Sequence, residues 1–344
     1  MEESGIETAV LKELCRIGDL LTPIVVRTAS TLGIADHFND GPATAEVLAE
    51  KLSVRLEPLT RLLLALTEVG LLSREEAGAF RLTEIGQVLR RDHPLSMRDA
   101  FVVADTDIRS WMELEYCIRT GRSGFERSYG ETHRNYRSHH SEEDIRMDLA
   151  HKAATRVELL SLSRAYPWSE VRTIVDVGGG TGTFVAGILS RFPRLRGTLF
   201  DLPQMIANAD EVIQEYGVAE RCKLVAGSFF EEVPAGRDVY VLKAVVGGWD
   251  DECSSLILST VRRAMRPDSQ LLIIEPVMGA GPDFSRGNVV QLQSFVLYGG
   301  IDRSLDDYRS LARSVGLEIR RVIPRATLPI IELVTRSEPS CRGA

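Results

Sequence analysis

The chain has 344 residues, enough for two domains that each bury a core. Its net charge of −8 argues against a nucleic-acid partner, because phosphate binding needs concentrated Lys and Arg. Five cysteines (Cys15, Cys117, Cys222, Cys253, Cys341) lack CxxC or Cys/His spacing, so neither a zinc site nor a disulfide framework is expected. No apolar run is long enough to cross a bilayer, so no membrane partner is expected. The opening MEESGIETAVLKEL lacks the basic and apolar regions of a signal peptide, which points to the cytoplasm.

From Thr8 to Leu32, apolar residues recur at helical spacing (Val10, Leu11, Leu14, Ile17, Leu20, Leu21, Ile24, Val25), and such a helix needs a partner surface. Helical patterns over Thr44–Leu52 and Leu56–Val69 precede LLSREEAGAFRLTEIG, a small hairpin around Ala77 and Gly78; together they predict a winged-helix module. Its second helix, EPLTRLLLALTEVG, carries one arginine and several leucines. A DNA-recognition helix presents several polar or basic side chains, so this one reads as a protein interface.

Residues 101–170 read as helices: FVVADTDIRSWMELEYCIRTG, then a polar loop ETHRNYRSHHSEED, then EEDIRMDLAHKAATRVELLSLSRAYPW. His133, His139 and His140 fall on the loop, but neighbours on a loop rarely converge on one ion, and no metal is expected.

Between Thr173 and Pro203, the apolar run Ile174, Val175, Val177 meets the glycines Gly178, Gly179, Gly180 and Gly182, and an amphipathic segment follows from Phe184 to Arg191. This is a strand, a tight turn and a helix. A second apolar run, Gly197 to Phe200, ends on Asp201, about 20 residues beyond the glycines, where a carboxylate can hold ribose hydroxyls. The unit predicts a nucleoside site. GGGTG differs from the dinucleotide G-x-G-x-x-G pattern, and no G-x-x-x-x-G-K-[ST] run exists for phosphates. Beyond Asp201, strands alternate with helices and the last two apolar runs are joined by a short connection. The fold class is therefore α/β, a mostly parallel sheet with an antiparallel terminal pair.

DVGGGTG…FDLP resembles the S-adenosylmethionine (SAM) motif of class I methyltransferases, in particular small-molecule O-methyltransferases similar to plant caffeate and bacterial polyketide enzymes. The resemblance implies a Rossmann-like catalytic domain over 101–344 with a helical pocket roof over about 101–170. Residues 1–100 would be a winged-helix domain forming a homodimer. It implies SAM as cofactor, held by Gly178, Gly180, Gly182, Asp201 and the following Leu202, with S-adenosylhomocysteine as product.

GSFFEEVP resembles the family's GDFF motif, with Ser228 in place of the Asp that caps adenine and Phe229 beside it. Lys243 matches a family lysine near the cofactor, and Trp249 an aromatic in the same pocket. Trp111, Met112, Phe125 and Met147 match the roof, and Gln291, Ser294 and Tyr298 the acceptor pocket. Packing in the core is the alternative for the aromatic and Met positions.

The chain departs from the family after its fourth strand. There LHDW-D-D carries the His that removes a phenol proton, and this chain reads Val245-Val246-Gly247-Gly248-Trp249-Asp250-Asp251. The family's helper acids match Glu275 and Asp302, and His151 of the roof is a further candidate for the missing base. General-base catalysis is worth about 10²- to 10⁴-fold and positioning up to roughly 7–11 kcal/mol, so losing the His leaves methyl transfer open to acceptors that need little help. The reading is a SAM-dependent methyltransferase of a small, natural-product-like acceptor, on N or O, by in-line transfer. The alternatives are a SAM-bound enzyme that does not methylate and a non-catalytic regulator.

Overall fold

A computed structural model describes residues 2–102, 104–278, 287–300, 303–324 and 328–336. They form two compact units, residues 1–104 with 149–154, and residues 105–148 with 155–344.

In the first unit, the single apolar run of 8–32 is two helices, α1 (Glu2–Ile17) and α2 (Leu21–Leu32). The break has a local cause: the Asp19 carboxylate accepts from the N–H groups of Leu21 (2.9 Å) and Thr22 (3.1 Å), which starts a new helix. Helices α3 (Ala45–Leu52) and α4 (Leu56–Glu68) follow, the first capped by the Thr44 hydroxyl. The α4 residues Leu59, Leu63 and Leu66 are buried with Ile34, Leu48 and Phe80, so its leucines split between core and surface. Strands β1 (Leu72–Arg74) and β2 (Phe80–Leu82) pair antiparallel as the wing, and a short α5 (Glu84–Gln87) closes the module.

The second unit opens with α6 (Asp105–Met112), α7 (Leu114–Thr120), α8 (Gly124–Tyr129) and α9 (His133–His139). The expected polar loop is largely α9, started by the Thr132 hydroxyl, which accepts from the Asn135 N–H. The two adjacent histidines have separate partners. His139 Nε2 lies 3.0 Å from Glu131, and His140 bonds the Tyr136 carbonyl and stacks on its ring. The long α10 (Ser141–Ala165) follows.

The sheet contains β3 (Thr173–Val177), β4 (Arg196–Asp201), β5 (Cys222–Ala226), β6 (Val239–Lys243), β7 (Gln270–Ile274), β8 (Leu317–Ile323) and β9 (Ile330–Thr335). Their order is β5-β4-β3-β6-β7-β9-β8, parallel from β3 to β7 and antiparallel where β9 meets β7 and β8. Helices connect the strands: α11 (Thr183–Arg191), α12 (Pro203–Ile206), α13 (Asp210–Glu215), α14 (Asp251–Ala264), α15 (Gly287–Tyr298) and α16 (Leu305–Ser314). Ile174 of β3 faces a core with Leu159, Leu162, Trp168 and Phe184, while Val175 and Val177 face another with Ile257, Leu258 and Leu311. Both faces are covered, as a parallel sheet requires. The strand order reverses at β3 and β6, so their carboxyl ends open a crevice at the switch point, where such folds bind ligands.

Trp168 carries much of the packing of α10 on the sheet: it is fully buried, donates its indole N–H to the Leu162 carbonyl (2.9 Å) and packs 4.8 Å from the Tyr166 ring. Trp168→Ala is expected to cost about 3–5 kcal/mol in a denaturant titration, from lost burial and the cavity left behind.

Candidate functional site

The loop after β3 is built around its neighbours as much as around a ligand. A Cβ on Gly178 (φ +71°) would lie 2.9 Å from Val245, so close packing of the β3 and β6 ends already forbids a side chain there. Gly180 (φ +61°) differs: a Cβ would meet only Met205, at 3.8 Å, leaving open space over its backbone. Its N–H donates to Asp201 Oδ2 (2.7 Å), and the Leu202 N–H donates to Oδ1 (2.6 Å). These bonds oppose burial, which raises the Asp201 carboxyl. Each oxygen keeps a lone pair for a ribose hydroxyl. Gly182 precedes α11, whose first N–H groups have no side-chain cap and can receive a carboxylate. An open backbone at Gly180, an anchored carboxylate at Asp201 and an uncapped helix start match the amino-acid and ribose parts of SAM.

At the adenine end, Phe229 lies over Gly178, 3.3 Å from where a Cβ would be, and packs edge-on against Phe230 and Trp249. The Ser228 hydroxyl accepts from the Phe230 N–H (3.3 Å), which leaves its own proton to donate. Lys243 ion-pairs with Glu158 (2.7 Å) and donates to Thr155 (3.1 Å), so α10 holds its ammonium in place.

Below the glycine loop is Asp176, which lies inside the DVGGGTG motif but whose setting the motif's spacing does not reveal. It is fully buried, and neither oxygen makes a hydrogen bond of full geometry among the described residues, although the Val185 N–H is near enough to favour the ionised form. Burial pushes its carboxyl up to about 7, with Lys243 opposing and Asp201 adding to the rise.

The loop after β6 turns through Ala244, at φ +54°, into Val246–Gly248. Arg303, 2% exposed, holds it: the guanidinium donates to the carbonyls of Val246 and Trp249 (2.9 Å each) and pairs with Asp251 (2.7 Å). Glu275 is also 2% exposed. Its Oε1 accepts from Tyr308 (2.5 Å) and its Oε2 from the Gly247 N–H (3.0 Å). Burial raises its carboxyl, opposed by both bonds and by Arg303. On the other side of the loop, Arg134 of α9 lies 3.8 Å over the Trp249 ring and donates to the Gly248 carbonyl (3.3 Å). Tyr308 and Arg134 carried no motif that would have marked them, and Arg303 follows Asp302 in GGIDRS, where only the acid was singled out.

The expected pocket residues fall into distinct settings. Phe125 has no exposed surface; Tyr129, His133 and Tyr136 pack around it, so core packing accounts for it. Met147 is buried, with its sulfur 3.2 Å from Arg146. Trp111 is half-buried, and Met112 and Tyr298 present surface, the latter edge-on to His133. Gln291 is 5% exposed with its amide nitrogen unpartnered among the described residues, and Ser294 is half-buried. His151 is exposed and falls in the segment 149–154 that belongs to the first unit. Asp302 lies outside the described residues. The roof also holds a polar cluster that the sequence did not suggest: Glu143 accepts from Thr106 (3.0 Å) and Arg146 (2.5 Å) and lies 3.7 Å from His133. Burial acts to raise the Glu143 carboxyl, but His133, Arg146 and Thr106 outweigh it and hold it down at about 2.

The raised Asp176 carboxyl makes stability depend on pH. The native state keeps a proton that the unfolded chain loses near pH 4, so stability is full below that value and is lost as pH rises through about 7. Asp176→Asn removes the loss. In thermal melts of cofactor-free protein, the Asn variant should exceed wild type at pH 8 by on the order of 2–4 kcal/mol, because each pH unit separating the native from the unfolded pKa is worth about 1.4 kcal/mol. The gap should close by about pH 4.

Residues 111–318 match the O-methyltransferase domain family, and residues 16–92 the O-methyltransferase dimerisation domain family. The chain is 35% identical over 306 residues to the phenazine O-methyltransferase PhzM of Lysobacter antibioticus, covering 88% of this chain and 90% of the relative. The crystal structure of LaPhzM superposes with a TM-score of 0.86 at 33% identity, covering 95% of this chain and 99% of that one. The structure of NcsB1, an O-methyltransferase from neocarzinostatin biosynthesis in complex with SAM and 2-hydroxy-5-methyl naphthoic acid, matches with a TM-score of 0.74 at 32% identity, covering 94% and 98%. With both family segments present on a Rossmann-like sheet, the chain belongs to the SAM-dependent small-molecule O-methyltransferases.

Proposed function

We propose that the protein methylates a hydroxyl on a small aromatic acceptor of natural-product biosynthesis, using the β3–β4 end of the crevice for SAM and the β6 loop for the acceptor. The observation that carries this is the pairing of an anchored Asp201 and an open Gly180 with a loop at Gly247–Gly248 that offers no side chain to take a proton. Relatives named for phenazine methylation or solved with a hydroxynaphthoic acid support a flat aromatic acceptor. The non-methylating and regulatory alternatives are not favoured, because both matched segments belong to O-methyltransferases.

SAM, when bound, supplies a methyl group on a sulfonium as the electrophile. This chain's residues then act by placement. Gly180 and Gly182 admit the cofactor's amino-acid end, Asp201 and the adjoining Leu202 hold the ribose, and Gly178, Ser228 and Phe229 border the adenine. Lys243 and Trp249 frame the same pocket. Gly247 stands where the family keeps its His, and Glu275 pins the Gly247 N–H rather than a base. Glu275, with both oxygens already engaged by Tyr308 and the Gly247 N–H, is poorly placed to accept a proton itself. Asp302 and His151 are the remaining proposals for a helper acid and a substitute base. Trp111, Met112, Met147, Gln291, Ser294 and Tyr298 form the proposed acceptor lining. The unpartnered Gln291 amide is suited to bond an acceptor oxygen.

Residues 1–100 are proposed as the dimer-forming part and 101–344 as the catalytic part. The apolar face of α1 supports a homodimer: Val10, Leu11, Leu14 and Ile17 are each more than 60% exposed, a continuous stripe that water does not tolerate without a partner. No helix among the described residues is long and apolar enough to cross a membrane.

Release of S-adenosylhomocysteine together with a methylated hydroxyaromatic tests the reaction, and turnover of an acceptor with SAM unconsumed would overturn it. A Gly247→His variant places an imidazole beside Glu275, since a Cβ there lies 3.3 Å from Oε2. It is expected to raise the rate on weakly acidic phenols by about 10²-fold, the low end of general-base catalysis, read as initial rates across a phenol series. Leu14→Glu should shift the protein from dimer to monomer in analytical ultracentrifugation.

A further inference from the structure

The loss of a base at Gly247 is accompanied by a cation that nothing in the motif announced. Arg134 extends from α9 over the ring of Trp249, and its Nη2 would lie 3.9 Å from a Cβ on Gly248. Three of the loop's carbonyls are presented in different ways. Those of Val246 and Trp249 are bonded by Arg303 and Ser254, whereas that of Gly248 accepts from Arg134. This single bond uses one of five guanidinium donors. The neighbouring arginine of the same helix, Arg137, pairs with Asp144; Arg134 has no carboxylate within ion-pair distance among the described residues.

The titratable groups facing Arg134 do not neutralise it. Arg137 on its own helix repels it, and the nearby Cys253 thiol at the start of α14 is itself raised, mainly by its bond to Asp250. Partial burial lowers the Arg134 guanidinium, far too little to discharge it near neutral pH. Glu275, across the loop, is occupied by Tyr308 and the Gly247 N–H. An exposed cation with unused donors, seated on the Trp249 ring, therefore borders the two glycines where the family's base and following Asp would be.

We propose that Arg134 is a catalytic residue that holds the acceptor's hydroxyl as its oxyanion, so that the substrate class is an acidic aromatic hydroxyl, deprotonated before transfer, rather than an amine or an ordinary phenol. This deepens the O-methyltransferase reading and rests on it. The proton leaves to solvent on binding, at a cost that the guanidinium offsets through charge-assisted hydrogen bonds. The oxyanion then attacks the methyl carbon, the O–C bond forms as the C–S bond breaks, and the electron pair returns to sulfur. Negative oxygen and positive sulfonium become a neutral ether and a neutral thioether, with no proton left for the protein to move. A cation in this position would repel an ammonium, which separates this acceptor class from amines.

The test uses 4-nitrophenol, whose phenolate alone absorbs in the visible, bound to the full-length protein loaded with S-adenosylhomocysteine. Titrated by absorbance, the bound nitrophenol should ionise about one pH unit lower than in free solution, a roughly tenfold larger phenolate ratio. Arg134→Ala should return it to its free value, and Arg134→Lys should keep part of the displacement. In turnover with an acidic hydroxyaromatic, Arg134→Ala should lower kcat/KM by at least about tenfold while its calorimetric affinity for S-adenosylhomocysteine is unchanged, which also shows that the variant folds. Identical titration in wild type and Arg134→Ala, unaltered kcat/KM, or no binding of nitrophenol to the loaded wild type would each overturn the proposal. A lowered ionisation in the wild type with no methylated product from any acceptor would instead sink the methyltransferase reading, so the two failures are distinguishable.

Discussion

The buried guanidinium of Arg303 is the constraint on which the reactive end of the crevice depends. A loop between a parallel strand and a helix leaves carbonyls pointing into the interior, and each unpaired one costs about 1–3 kcal/mol. Arg303 satisfies those of Val246 and Trp249 and pairs with Asp251 at the start of α14. The loop can then run through two glycines without collapsing. Its rigidity fixes the Gly247 N–H against Glu275 and the Trp249 ring beneath Arg134, so three charged residues from three distant parts of the chain define one turn.

The charge layout around the crevice separates two jobs. At the cofactor end, Asp201 is tied by two backbone N–H groups, while Asp176 is buried without a hydrogen bond of full geometry among the described residues and Lys243 is held by Glu158. These groups suit the cationic, hydroxyl-bearing cofactor proposed for this end. At the loop after β6 the acid, Glu275, is already engaged, and Arg134 presents an exposed cation without a carboxylate partner among the described residues. On the proposed role of Arg134, the site trades a proton acceptor for a cation that stabilises an anion. The trade follows from magnitudes: base catalysis is one contribution among several, and placement of nucleophile and methyl contributes as much or more.

Much of this was legible in the residues. Continuous apolar runs and 3.6-period patterns gave the alternating strands and helices, the glycine cluster with Asp201 pointed to a nucleoside end, and the terminal antiparallel pair followed from the spacing of the last two runs. Less legible were features set by short-range capping or by distant contacts. Asp19 splits a helix that periodicity alone makes continuous, and Thr132 starts α9 inside a polar run that composition reads as loop. Phe125 was expected in the pocket from the resemblance of the roof segment, and such a resemblance does not say that the ring packs among Tyr129, His133 and Tyr136.

The sequence by itself determined the sheet, because strands and helices rest on local apolar runs and periodicity, and it raised the expectation of a cofactor end at the glycines and of a gap at Gly247 from residue types at fixed spacing. Only the tertiary structure decided what surrounds the gap. Arg134, Arg303, Tyr308 and Glu275 are separated by up to 174 positions (134 to 308), and their convergence is set by the order of strands and the packing of helices on them. No pattern in the chain encodes which of its many arginines loses its carboxylate partner and meets an open loop; that follows from burial and geometry alone.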